Sequence, residues 1–506
     1  MDLPYPDAAG AGYGARASRA AVVDLGSNSV RLVVFEGRGR NPLPIFNEKA
    51  VLGLGRGLDS TGLLNEEAVE QAFTVMARYF AVARAMEADP IEVLATAAVR
   101  DALNGEAFVA GLQARMPGVP IRVLAGEEEA AISAEGVQLG FPGAQGVLGD
   151  LGGGSLEVVE LTPHGAGHSA SLPIGVIRLA ERAKGDVTRA RGIADEALGA
   201  LPWLANAAAK GDLYLVGGTW RALARMHIAQ TAYPLSIVHH YGLVREEARD
   251  LAGVVMAATR RTLERMPGAP AKRVGDLPFA AVVMRRLLRI SGARRVMFSA
   301  NGLREGWYAR LLPPPVRGED PLLAASRELC GRFGRDADLP PELMRWTAPL
   351  FEGESEGELA LREAACWVSD VASHDHPDYR AEHGFYRVLR QPGVGLDHYA
   401  RAFLALVVAL RYEAPNDAHY LPSARMLLDS HAVRRAELLG AGLRLAYTLS
   451  GGTPELLAGT AIERRGGRLV LRLGTGSGVF AGESVLRRTE ALAATMGLEA
   501  AVEVAA

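Results

Sequence analysis

Residues 146–161 read GVLGDLGGGSLEVVEL, and their reading decides the fold. A short apolar run, Val147-Leu148, leads into Asp150. Gly152, Gly153 and Gly154 follow, and Ser155 opens a second apolar run that carries Glu157. Asp150 is therefore expected at the carboxyl end of a strand. The three glycines have no Cβ and tolerate positive φ, so the backbone can fold tightly and turn several N–H groups toward one anion such as a phosphate. Asp150 beside that nest suits Mg²⁺, a hard cation that takes carboxylate and phosphate oxygens together. The alternation after Ser155 predicts the returning strand of a hairpin, with Glu157 facing the same cleft. A plain glycine-rich β-turn between two core strands fits this stretch taken alone equally well.

The chain repeats the pattern. Residues 21–36 read AVVDLGSNSVRLVVFE, so that Asp24-Leu25-Gly26 aligns with Asp150-Leu151-Gly152 and Ser29 with Ser155. A repeat constrains architecture more strongly than any single turn. Two equivalent hairpins, one with Gly26, Ser27, Asn28 and Ser29 in its loop, imply two similar α/β lobes facing each other across a cleft.

Outward from the hairpins, strands alternate with helices: strands at 44–54, 91–96 and 121–124, and helices from Asn65, from about Gly105 and from Gly126. This alternation is the α/β signature. Ligands of such folds gather at strand carboxyl ends, where Asp24, Arg100, Glu129 and Asp150 all fall. A third turn, Gly217-Gly218-Thr219, follows the strand 213–216 and opens a helix. It is either another phosphate contact or a tight strand-to-helix turn. Pro313-Pro314-Pro315 marks a linker. Beyond it the pattern is helical from 320 to about 448, and two strands and a final helix follow Gly451. The expected division is a disordered leader at 1–19, lobes at 20–140 and 141–312, a helical domain at 320–448 and a small α/β domain at 449–506.

The chain has 506 residues, 49 % hydrophobic and 22 % charged, with a net charge of −3. That composition is globular, and it provides no global field for nucleic acid; an anion site must be a local cluster. Cys330 and Cys366 are the only cysteines, which disfavours a disulfide framework or a Cys-based zinc site. No apolar window reaches membrane-spanning length and the N-terminus has no apolar signal core, so a soluble cytoplasmic protein is expected.

Several ordered motifs resemble the exopolyphosphatase/guanosine pentaphosphate phosphatase (Ppx/GppA) family: DLGSNS (24–29), LGRGLDSTGLLNEEA (54–68), ATAAVRDALN (95–104), GEEEA (126–130), DLGGGSLE (150–157) and GLREG (302–306). The resemblance implies ribonuclease H-like lobes of the actin, Hsp70 and sugar-kinase type, an HD-like helical domain and a homodimer. It implies catalytic roles for Glu129, Arg100 and Glu157, Mg²⁺ on Asp150 and Glu157, and inorganic polyphosphate as substrate, with guanosine pentaphosphate as a second one. A kinase-like phosphotransferase and a non-catalytic polyphosphate sensor are the competing readings. In the helical region, an HD metal site needs a His-Asp pair where this chain has Ser369-Asp370. His374 and His376 flank Asp375 beside Pro377, which puts them in a loop. Arg387, Arg390, Arg401 and Arg411 are spaced to line a groove for a long polyanion.

Overall fold

The computed structural model describes residues 18–209, 211–474 and 480–505. The leader expected at 1–19 lies outside the described residues up to residue 17, and Arg19 already belongs to a strand.

The first sheet contains β1 (Arg19–Leu25), β2 (Ser29–Glu36), β3 (Leu43–Val51), β4 (Ile91–Ala95) and β5 (Ile121–Val123), in the spatial order β3-β2-β1-β4-β5. Strands β1 to β3 form an antiparallel meander, while β4 and β5 run parallel to β1. Asn65 caps the helix α1 (Glu66–Ala85), its side chain accepting from Ala68 N at 2.9 Å. The buried face of α1, Ala68, Ala72, Met76, Tyr79 and Ala83, covers the sheet at the helical period. Helix α2 (Gly126–Gly140) leads out of this lobe into the central hairpin.

The second sheet has β6 (Gly146–Leu151), β7 (Leu156–Thr162), β8 (Gly165–Leu172), β9 (Asp212–Val216), β10 (Tyr241–Val244) and β11 (Arg295–Phe298), in the order β10-β11-β9-β6-β7-β8. Strands β6-β7-β8 repeat the β1-β2-β3 meander, and β9 and β11 repeat β4 and β5 as parallel neighbours. The duplication read from two hairpins thus extends to whole sheets, and both lobes are ribonuclease H-like. Helix α3 (Gly218–Gln230) packs Trp220, fully buried, against Gly149, and Trp220 Nε1 donates to Ala280 O at 2.8 Å. That carbonyl belongs to α4 (Leu277–Ser291), which ends on Gly292 at φ 72°. Helix α5 (Leu303–Leu311) crosses back to the first lobe, and Trp307 and Tyr308 join its core.

Beyond residue 320 the chain is helical. Its main elements are α6 (Glu356–Val368), α7 (Arg380–Leu389), α8 (His398–Arg411) and α9 (Ser430–Ser450). The apolar α8 is buried almost throughout, at the centre of this region's core. His398 at its start accepts or donates at Tyr233 Oη (2.8 Å) and contacts His239 O (2.9 Å), fastening the helical region to the second lobe.

Two details depart from the sequence reading. After α10 (Glu483–Thr495) the chain ends in a strand, not a helix: β14 (Glu499–Val504) pairs parallel with β13 (Arg468–Leu473), which pairs antiparallel with β12 (Thr460–Arg465). And Arg387, Arg390, Arg401 and Arg411 do not all share one groove: Arg390 and Arg401 line one cavity and Arg411 another. Arg401 is fully buried and donates to the carbonyls of Leu389, Gln391, Gly393 and Leu396. Arg387 is held by Val371 O and Asp375. Among the described residues no helix is long and apolar enough to cross a membrane.

Candidate active site

The two meanders place their hairpin loops against each other. A Cβ on Gly154 would stand 2.7 Å from Ser27 Oγ, and one on Gly153 would stand 3.2 Å from Ser27 Cβ. None of Gly152, Gly153 and Gly154 lies in the left-handed region. Glycine is needed here for close approach between the lobes, not for the positive φ its sequence suggested. Gly217, in contrast, has φ 121°, and its missing side chain leaves room for Leu151 O.

Between the loops lies a cleft of about 160 Å³. Asp24, Gly26, Ser27, Asn28, Ser29, Glu129, Asp150, Gly152, Gly153, Gly154, Ser155, Gly217, Gly218 and Thr219 all line it, as the sequence reading brings them together. Arg100 and Glu157 do not line it. Arg100 stands behind Glu129, its Nη1 3.4 Å from Glu129 Oε2 and 3.0 Å from Leu124 O. Glu157, 1 % exposed, is the cross-strand partner of Asp150 and accepts from Ser171 Oγ at 2.9 Å.

The pairing registers explain how charge is distributed. In the second lobe Asp150, Glu157 and Ser171 stand in one row across β6, β7 and β8. In the first, the same row across β1, β2 and β3 is Asp24, Arg31 and Lys49. Cross-strand partners on one face lie about 5 Å apart, so each row acts as a unit. Arg31, Lys49, Arg221, Arg273 and Arg304 also line the cleft, with Arg304 Nε 4.0 Å from Asp24, and make it strongly basic. Sequence reasoning missed all five. Two had a signal: the repeat aligns Arg31 with Glu157, and Arg304 lies in the GLREG motif.

Burial and crowding perturb both groups. Burial, and then repulsion by Glu157 and Asp150, raises Glu129 well above the usual carboxylate range. Burial and Asp150 push Glu157 up to about 7. Asp150 is raised by burial, against the pull of the Ser133 hydroxyl, which donates to its Oδ2 at 2.6 Å. Burial and neighbouring cations bring Arg31 down to about 10, Arg221 to about 9 and Lys49 to about 8. Like charges held together in this way are typical of a site that receives their counter-charge. The basic lining fits an anion. The carboxylates fit a hard divalent cation, since every donor they offer is oxygen. Among the described residues no three His, Cys, Asp or Glu side chains gather closely enough to hold a metal by themselves. Mg²⁺ does not require that, because it keeps several waters and shares substrate oxygens.

In the helical region, Ser369 bonds to Cys366 O (2.7 Å) and Tyr447 Oη (2.8 Å), and Asp370 is paired with Arg335 and Arg411. His376 accepts from Asp378 N at 3.3 Å in the loop, and the exposed His374 contacts Ser373.

Duplicated lobes, two hairpin loops brought face to face and a cleft lined by both carboxylates and guanidinium groups are the architecture of a two-lobed α/β enzyme. The sequence pattern of the Ppx/GppA phosphatase family matches residues 32–314, and that of the exopolyphosphatase C-terminal region matches 322–502. The chain belongs to the Ppx/GppA phosphatase family. It is 32% identical over 294 residues to exopolyphosphatase 2 of Mycobacterium tuberculosis, covering 54% of this chain and 90% of that protein. It is 28% identical over 311 residues to exopolyphosphatase 1 of the same organism, covering 59% and 90%. A crystal structure of an exopolyphosphatase from Cytophaga hutchinsonii shares the fold, with a TM-score of 0.54, 24% identity, and coverage of 58% of this chain and 98% of that one.

Proposed function

We propose that this enzyme releases terminal orthophosphate from inorganic polyphosphate by Mg²⁺-assisted attack of water, and that it also converts guanosine pentaphosphate to the tetraphosphate. The observation that carries this reading is the continuity of the basic lining. Arg31, Arg221 and Arg304 line both the cleft and an adjoining cavity of about 340 Å³, into which Arg225 and Arg390 also face. A polymer with a charge on every unit would be held along such a corridor while its last unit sits between the loops.

The roles follow from the chemistry of each group. The loop amides at 26–29 and 152–155 bind the equatorial oxygens, and the start of α3 at Gly218-Thr219 adds a helix N-terminus. Asp150, which lines the cleft, would hold Mg²⁺, with the buried Glu157 beside it in the same row adding negative charge; when bound the ion neutralises charge on the transferred phosphoryl group. Glu129 accepts the proton of the attacking water as oxygen bonds to the terminal phosphorus. The bond to the bridging oxygen then breaks, and the shortened chain leaves with that electron pair. Arg100 keeps Glu129 oriented and favours its carboxylate form. In this reading the enzyme works as a cytoplasmic homodimer.

Orthophosphate release from long-chain polyphosphate, tripolyphosphate and guanosine pentaphosphate, measured side by side with Mg²⁺, tests the proposal. Release from polyphosphate without any acceptor is expected. Phosphate transfer only to an added acceptor would replace it with the kinase reading, and tight binding without turnover with the sensor.

A further inference from the structure

The motif LGRGLDSTGLLNEEA at 54–68 holds its first carboxylate, Asp59, outside the cleft. Asp59 lies in the one-turn helix Leu58–Thr61 of the first lobe and is gripped from the second. The short helix Val176–Arg182 sends two guanidinium groups across. Arg178 Nε stands 3.0 Å from Asp59 Oδ1, and Arg182 Nε pairs with Oδ2 of the same carboxylate. The neighbouring nitrogen of Arg178, Nη2, donates to Asp101 Oδ2 at 3.0 Å, also in the first lobe. Glu181, on the same helix, accepts from Gly57 N at 3.2 Å.

Each of these contacts leads to a piece of the cleft. In the second lobe, the first amides of the 176–182 helix hold the glycine loop: Val176 N donates to Gly152 O at 3.0 Å and Ile177 N to Gly153 O at 2.9 Å. In the first lobe, the segment before Asp59 braces the other loop. Leu52 N and Gly53 N donate to Asn28 O at 3.1 and 3.0 Å, and Gly55 N donates to Ser27 O at 2.8 Å. Asp101 accepts in turn from Arg100 Nε at 3.2 Å, and Arg100 reaches Glu129. A chain of charged groups, Asp59–Arg178–Asp101–Arg100–Glu129, thus crosses between the lobes and ends on a carboxylate of the cleft. Arg178 is 9 % exposed. A solvated ion pair contributes little, whereas a buried fork shared by two carboxylates fixes direction as well as distance.

We propose that Arg178 is a positioning residue: it latches the lobes at the separation the two loops need, and through Asp101 it sets the Arg100 guanidinium behind Glu129. In this role, which rests on the polyphosphate reading above, Arg178 itself stays outside the cleft. Its two arms have separate consequences. The Asp59 arm bears on the loops, hence on binding of the terminal phosphoryl group. The Asp101 arm bears on the orientation of the base, hence on the chemical step.

The test is a kinetic split on tripolyphosphate with the full chain. Asp59→Asn should raise KM several-fold and leave kcat near wild type, while Asp101→Asn should lower kcat by about tenfold and leave KM near wild type. Arg178→Gln should do both, and adding Asp101→Asn to it should cost no further kcat, because that path is already cut. Arg178→Lys keeps the charge without the fork and should recover at most one of the two effects. A lowered melting temperature with kcat and KM unchanged, or both asparagine variants moving the same parameter, would overturn the proposal. Hydrogen exchange read by mass spectrometry is independent of turnover. In Arg178→Gln the amides of Leu52, Gly53, Gly55, Val176 and Ile177 should exchange about tenfold faster or more, the scale of one charge-assisted hydrogen bond. Unchanged protection of both segments would refute the latch. Should Arg178→Gln fail to fold, the two asparagine variants, each cutting one arm, still carry the kinetic split. A wild type that releases no phosphate would sink the polyphosphate reading instead, and exchange would still decide the latch.

Discussion

Lys49 gives the most exacting check on the basic lining. It projects from β3 beside Arg31 at the open mouth of the cleft, and burial together with Arg273, Arg31 and Arg221 brings its ammonium down to about 8. An anion is bound by the charged amine, so affinity should be complete below that value and fall as pH rises through it. About nine in ten Lys49 side chains are charged one unit below the midpoint and about one in ten one unit above. If the neutral amine contributes nothing, kcat/KM on tripolyphosphate should fall by roughly tenfold between pH 7 and pH 9, a loss of about 1.4 kcal/mol. The limb belongs in kcat/KM, which reports the free enzyme, because bound substrate would hold the proton on. Lys49→Arg should move the limb upward, to the range of Arg221 near 9. Salt should do the same in the wild type by screening the crowded cations. Stability has the opposite sign. The unfolded chain binds more protons between about 8 and the ordinary lysine value, so this group's contribution to stability rises with pH there, and unfolding does not account for the loss. A descending limb at the same pH in Lys49→Arg as in the wild type would refute the reasoning.

Glu129→Gln should retain long-chain binding while turnover falls by about 10²-fold or more, the usual scale for a lost general base; near wild-type single-turnover rates would take the role from it. Asp150→Asn should raise the Mg²⁺ concentration needed for half-maximal activity, and an unmoved midpoint in a Mg²⁺ titration would remove Asp150 from the metal site. Gly154→Val should force Ser27 away, since even a Cβ there meets its Oγ at 2.7 Å. Turnover is then expected to drop far more than the melting temperature, and wild-type turnover would show that the loops need not touch.

Which parts of this molecule could be read from sequence follows from where the information lies. The hairpins were legible because apolar runs, Asp-Leu-Gly and a serine recur together, and the paired registers of Asp24 with Arg31 and Asp150 with Glu157 carry that repeat into the sheets. Glu129 and Arg100 were found through motifs, but their mutual contact required the fold. The basic lining was not legible. Arg31, Lys49, Arg221, Arg273 and Arg304 come from separate stretches of a chain with 55 lysines and arginines, and apart from the repeat at Arg31 and the GLREG motif at Arg304 no local pattern separates them from solvated ones. Arg401 shows the converse limit: helical spacing suggested a ligand groove, and it does line a cavity with Arg390, yet its guanidinium is taken up by four carbonyls. The short β10 was missed because four residues cannot display a period, and β14 because it completes a sheet begun by strands far earlier in the chain.

The matched rows Asp24-Arg31-Lys49 and Asp150-Glu157-Ser171 bear on how such an enzyme could arise. Two copies of one half-molecule, assembled face to face, would present identical rows. Two basic rows would grip a polyanion and have nowhere to seat a cation. Two acidic rows would hold the cation and repel the chain. Fusing the halves into a single polypeptide frees each to be edited alone, and an exchange of charge at one register position separates grip from chemistry. In the proposed mechanism the catalyst is thus the asymmetry itself: the ancestral pairing supplies the cradle, and its later inequality supplies the reaction.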